Sequence, residues 1–122
     1  MGPAVLLYNI PCEKEKTIRA LCEKLSVTAM NVPANWHGCT VGQVLRGEGA
    51  DRVAKKPFGD EMLVMQLPGI LLDFFLQGLM REGADVALKA AITPTNVSWT
   101  ADALYRELVR ERQEFLKAGM KK

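Results

Sequence analysis

Hydrophobic and polar positions alternate between two rhythms along this chain. Ala4 to Ile10 is an almost unbroken apolar run that stops at Pro11, which predicts a first strand. Glu13 to Leu25 changes period: Ile18, Leu21, Cys22 and Leu25 fall at i, i+3, i+4 and i+7, one helical stripe, with Glu13 and Glu15 in the first turn where the helix dipole favours acids. Val27 to Val32 predicts a second strand closed by Pro33. Thr40 to Leu45 predicts a short helix with Thr40 as cap and Gly47 as stop. Residues 46–60 carry Gly47, Gly49, Pro57 and Gly59 among mixed charges and predict a long flexible loop. Glu61 to Leu67 predicts a third strand, and Pro68 and Gly69 open a second long helix that Gly83 ends. That helix is apolar around most of its girth, from Ile70 to Met80, so it is expected to meet neighbours on more than one side or to carry half of a self-association surface. Val86 to Ile92 predicts a fourth strand, Trp99 to about Lys117 a last helix, and residues 119–122 a frayed tail. No internal repeat is visible.

Strand and helix alternate through the chain, and strands one, three and four lack polar alternation. Such strands are usually buried on both faces, so the expected fold is α/β: βαβαβαβα, a mainly parallel four-stranded sheet between helical layers, with strands one and three central. The alternative is an α+β ferredoxin-like βαββαβ arrangement with extra helices, in which strands two and three form a hairpin. One domain, residues 1–122, is expected from the length.

Composition narrows the partners. Sixteen basic and fourteen acidic side chains leave a net charge of +2, which gives no reason to expect nucleic acid or an anionic membrane. No apolar stretch reaches the roughly 18 residues of a membrane span, and the apolar start lacks the basic lead-in of a signal peptide. Gly2 does not make a myristoylation motif, because Leu6 stands where Ser or Thr is needed. Cys12, Cys22 and Cys39 are an odd set without disulfide-framework spacing, so a reducing, cytoplasmic setting is expected.

The motifs point to a fold more than to a reaction. Leu6-Leu7-Tyr8-Asn9, Gly42 with Gly47, Glu61-Met62-Leu63-Val64, and Leu88-Lys89-Ala90-Ala91-Ile92-Thr93-Pro94-Thr95-Asn96 with Trp99 are similar to a small prokaryotic domain family of unknown function, whose last helix carries the pattern seen here at Glu107, Leu108 and Glu111. The resemblance spans nearly the whole chain, is poor over 35–59, and implies no activity. Glu61 to Gly69 also resembles the third-strand segment of response-regulator receiver domains. That resemblance implies a version without phosphotransfer, since Gln66 stands where a receiver has its phosphorylated Asp and Asn9 where it has acidic metal ligands.

If strands one and four run parallel, Asn9, Thr93, Thr95 and Asn96 line one rim at their C-terminal ends, a ligand-binding set suited to a small polar or anionic ligand; the same residue types also make turns and caps. Cys12 at the start of the first helix is a candidate nucleophile, opposed by Glu13 and Glu15 and needing the only histidine, His37, nearby. His37 and Cys39 are half a zinc site with no second pair, so no metal and no cofactor are expected; Trp36 beside them suits a packing lid or contact surface. Lys89 suits an edge strand, or a buried site with an acid or anion partner. No carboxylate pair or glycine-rich phosphate loop is present. The reading is a small binding or regulatory protein, with a homodimer as the expected assembly; a small enzyme using Cys12 or the rim, and a structural subunit of a larger assembly, are the alternatives.

Overall fold

The computed structural model describes residues 2–120, with Gly119 and Met120 as backbone alone. The elements run β1 (Ala4–Tyr8), α1 (Cys12–Lys24), β2 (Thr28–Val32), a 3-10 turn (Ala34–Trp36), α2 (Val41–Leu45), β3 (Met62–Gln66), α3 (Gly69–Arg81), β4 (Leu88–Ala91), a second 3-10 turn (Asn96–Ser98) and α4 (Ala101–Met120). The expected elements are all present. The last helix reaches beyond Lys117; of the expected tail, Lys121 and Lys122 lie outside the described residues.

The fold is α/β, with the strands in the order β2-β1-β3-β4. β1 pairs in parallel with β2 and β3 with β4, while the central pair, β1 with β3, is antiparallel. The sheet is therefore mixed and mostly parallel, with β1 and β3 central as expected. The ferredoxin-like alternative is not realised, because β2 pairs with β1 and makes no hairpin with β3.

Strand residues alternate between two cores. Val5, Leu7, Leu63 and Met65 face α1 and α3 through Ile18, Leu21, Phe75 and Leu79. Leu6, Tyr8, Met62 and Val64 face α2 and α4 through Val41, Val44, Ala101 and Leu104. Burial on both faces is why these strands show no polar alternation. The two βαβ units step outward in opposite directions along antiparallel strands, so right-handed crossovers put α1 and α3 on the same face.

The two halves share one plan, β-α-β-turn-α, related by an approximate twofold axis perpendicular to the sheet. Helices α1 and α3 each have 13 residues and follow a proline, Pro11 and Pro68. Each first turn is closed by a 2.8 Å bond, Glu15 N–H to Pro11 O and Leu72 N–H to Pro68 O. Each helix ends alike: Val27 N–H to Cys22 O matches Ala84 N–H to Leu79 O, both at 2.8 Å, around residues with positive φ, Ser26 at 58° and Gly83 at 69°. Corresponding residues meet on the axis in each layer. Leu21 of α1 lies over Gly78 of α3, Leu6 pairs with Val64 in the sheet, and Thr40 bridges to Thr100 between the helices of the opposite face. In sequence the turn regions share only Pro-x-Asn, Pro33-Ala34-Asn35 and Pro94-Thr95-Asn96, one residue out of step with the 3-10 turns and too short a trace to stand out.

Residues 46–60 carry no helix or strand, as a loop should. They lie over the α2/α4 side and are bonded to it repeatedly. Gly38 N–H donates to Arg52 O at 2.7 Å, and Arg52 N–H donates to Asn35 O at 2.7 Å. Lys56 N–H donates to Asp102 Oδ2 at 3.3 Å, and Phe58 packs against the core.

Candidate functional site

The antiparallel central pair separates the expected rim into two. Because β1 runs against β3 and β3 runs with β4, the C-terminal ends of β1 and β4 are at opposite ends of the sheet. Asn9 is at one end and Thr93, Thr95 and Asn96 at the other, so one shared pocket does not form. The receiver-like pairing of Asn9 with Gln66 fails for the same reason: Gln66 aligns with Ala4, at the start of β1.

Each group has a local task. Asn9 adopts a left-handed conformation (φ 57°), and its amide Nδ2 donates to Phe58 O at 3.0 Å and Asp60 O at 3.1 Å. It thereby ties the linker across the end of β1. At the opposite end the Gln66 amide donates to Gly2 O at 3.0 Å, the corresponding contact for the residues that enter β1. Asn96 is buried and engaged on every side: Oδ1 accepts from Thr93 N–H at 2.8 Å, Nδ2 donates to Ala91 O at 3.0 Å, and its own N–H donates to Thr93 Oγ1 at 2.9 Å. Thr93 and Asn96 therefore shape the turn after β4, and the Thr95 side chain stays exposed.

That turn borders an open cleft of about 690 Å³, lined among others by Pro3, Gln66, Leu67, Pro68, Ile92 and Thr93. It sits at the C-terminal ends of the parallel pair β3 and β4, beside the start of α3. Helix α3 has no side-chain cap, because proline occupies the N-cap, so its first amides are free of intrahelical partners. A smaller hollow of about 430 Å³ flanks the same turn and is lined by Thr95, Trp99, Glu107 and Glu111 with others.

At the other end the corresponding space is filled by the chain itself. Phe58 stacks between His37 (ring centroids 5.1 Å) and Tyr105 (4.4 Å), and Tyr105 Oη donates to Asp60 Oδ2 at 2.6 Å. Burial lowers the His37 pKa, outweighing its Val32 carbonyl partner and the Asp102 charge, both of which raise it. Desolvation works against the Asp102 carboxylate, yet bonds from Thr100 Oγ1 (2.5 Å) and Lys56 N–H, with Arg106 nearby, keep its pKa below the usual value. The hydroxyl of Tyr8 is buried with no hydrogen-bond partner among the described residues, and burial pushes its pKa up. Charge pattern gave no sign of this aromatic stack; the spacing of Tyr8, His37, Phe58 and Tyr105 spans the whole chain.

The cysteine candidates separate as well. Cys12 is exposed at the start of α1, on the face opposite His37, so the two do not form a nucleophile–base pair. Cys22 is buried under α1, and desolvation raises its pKa to about 11. Cys39 Sγ donates to Ala50 O at 3.2 Å. Among the described residues no group of three or more His, Cys, Asp or Glu side chains is placed to hold a metal ion. Trp36 is half-buried against the core with Gly49 on its ring: a Cβ there would lie 2.5 Å from the indole. Lys89 is on the edge strand β4 and also has an acid partner, Asp85 at 2.8 Å. Among the described residues no helix is long and apolar enough to cross a membrane.

No curated protein and no solved structure matches the chain. Residues 62–115 match a family model described as a domain of unknown function (DUF3783), a span that opens with β3 and closes within α4.

Proposed function

We propose that this protein is a non-enzymatic binding module whose ligand site is the open cleft at the ends of β3 and β4. The observation that carries this reading is the difference between two corresponding strand ends: one is filled by Phe58 and its linker, the other is an open cleft of about 690 Å³. In sheets of this class ligands bind beyond the carboxyl ends of parallel strands. The apolar lining from Pro3, Leu67, Pro68 and Ile92 suits a small ligand with an apolar body. Thr93 and Gln66 provide polar contacts at the rim, and the uncapped amides at the start of α3 suit a carboxylate or phosphate head. Thr95 and Asn96 act as turn residues that hold Thr93 in place, and Asn9 serves the closed end.

A titration of isotope-labelled protein with small aryl and alkyl carboxylates and phosphates tests this. Amide shifts clustered at Gln66, Gly69, Ile70 and Thr93 are expected, and Thr93→Trp, which fills the cleft, abolishes them. Shifts centred on Asn9 and Phe58, or none with any probe, defeat the reading.

A second reading, self-association of the whole chain, is favoured by the outer face of α3. Ile70 and Phe74 are 75% and 57% exposed there, one turn apart. The corresponding positions of α1 are Glu13 and Thr17, so the apolar patch belongs to the second half alone. Sedimentation velocity of the wild type against Phe74→Glu is expected to show a dimer that the substitution disperses; a wild-type monomer across the micromolar range excludes it.

A further inference from the structure

We infer that the seam between the two halves is a self-pairing surface: residues 62–115 are built to pair with a second copy of the same β-α-β-turn-α unit, and the first half, from β1 through α2, is that copy fused into one chain. Three observations carry this beyond a similarity of outline. First, corresponding residues touch each other in all three layers, Leu21 with Gly78, Leu6 with Val64 and Thr40 with Thr100, as residues do only on a twofold axis. Second, the details of the helices repeat, including the proline before each, the 2.8 Å closing bonds at each end and the positive φ at Ser26 and Gly83. Third, the family model begins with the first residue of β3 and ends in α4, so it covers the second unit and leaves out the first. A unit of this plan alone exposes one edge of its own central strand and one flank of its crossover helix. A second copy covers both at once, and closes the sheet from two strands to four.

The two copies have since become fitted to each other. A Cβ on Gly78 would lie 2.7 Å from Leu21 Cδ1 and 2.8 Å from Cδ2, so the leucine of one unit occupies the space left by the glycine of the other. Two first units would set leucine against leucine on the axis, and two second units would leave a gap. This knob and hole favours the mixed pair over either like pair.

The axis makes the two positions interchangeable, and the intact chain tests that. Leu21→Gly alone empties the contact, and Gly78→Leu alone drives a side chain into Leu21; each is expected to lower the urea midpoint clearly. The double exchange Leu21→Gly/Gly78→Leu rebuilds the same knob and hole turned about the axis, with helix propensities traded evenly between α1 and α3. Its midpoint is expected closer to wild type than that of either single variant. Losses that simply add in the double variant overturn the inference. A second measurement does not depend on those substitutions. A protease site inserted after Gly47 lets the folded chain be cut in its linker, then unfolded and refolded for native mass spectrometry. Mixed pairs are expected to dominate, with a minor population of second-unit fragments paired with one another. Second-unit fragments found only in mixed pairs, or alone, also overturn it.

Discussion

At the scale of single residues, the aromatic cluster around His37 combines packing with a pH dependence. The ring lies between Tyr8 and Phe58, and Nε2 is 3.3 Å from Val32 O. The titratable and charged groups around it are Tyr8 on β1, Cys39 in its own loop, Asp102 and Tyr105 on α4, and Asp60 and Lys56 in the linker. Burial holds the folded-state pKa of His37 below that of the unfolded chain, near 6.5. The unfolded state therefore takes up a proton first as pH falls. This contribution to stability is complete above about pH 6.5 and is lost as pH drops through that value toward the folded pKa. Urea midpoints measured from pH 7.5 to 5.0 are expected to fall, and His37→Gln should flatten the profile in that window. A profile with the same slope in the variant would assign the effect to other groups. The lowered pKa of Asp102 acts separately, at more acid pH, where protonation weakens its bonds to Thr100 and Lys56.

At the scale of elements, the comparison of α1 with α3 identifies a correctable strain. Both helices end through a left-handed residue, but α3 uses Gly83 and α1 uses Ser26. A side chain with φ near +58° crowds its own backbone, a cost of about 1 kcal/mol that glycine avoids. Ser26 is exposed, its side chain has no hydrogen-bond partner among the described residues, and its N–H keeps its bond to Glu23 O in any variant. Ser26→Gly is therefore expected to raise stability by about 0.5–1 kcal/mol, read as a higher denaturant midpoint with unchanged slope. The reciprocal Gly83→Ser should lower it.

The elements themselves were legible in the sequence, because period-2 and period-3.6 patterns are local. So were the Thr40 cap, now seen as a full capping box with Gln43, and the edge position of Lys89. Strand direction was not legible. Whether β1 meets β3 in parallel or antiparallel depends on where the path from α2 to β3 delivers the chain, and residues 46–60 carry no periodicity that reveals it. The candidate rim failed first on that point, although Asn9 and Thr93 were each correctly placed at a strand end; the Asn9 and Asn96 amides are in addition spent on local backbone bonds. The girth of α3 left two readings open, contact on several sides or half of a self-association surface. Ile70, Phe74 and Met80 are exposed, so the helix is not covered all round, and periodicity alone could not separate an apolar surface from core.

At the scale of the whole molecule, the linker breaks the symmetry that the two units would otherwise keep. It crosses from α2 to β3 over one strand end, and Phe58 fills the slot between His37 and Tyr105, with Asn9 and Asp102 gripping the backbone on either side. Among the described residues no such strap crosses the opposite end, where the cleft at Thr93 lies. The strap is thus what distinguishes two otherwise similar strand ends. Phe58→Ala removes a half-buried ring stacked on both faces, and a loss of about 2 kcal/mol is expected, below the range for a fully buried phenylalanine. The loss should also be local. Hydrogen exchange is expected to accelerate at the linker amides of Arg52 and Lys56 and at Gly38, whose partners depend on the strap. The amides of Val64 and Met65 in the central strand should keep their protection relative to global unfolding. Uniform acceleration across strand and linker would mean that Phe58 stabilises the entire fold instead of fastening one end of it, and the two strand ends would then differ in filling without differing in how readily they open.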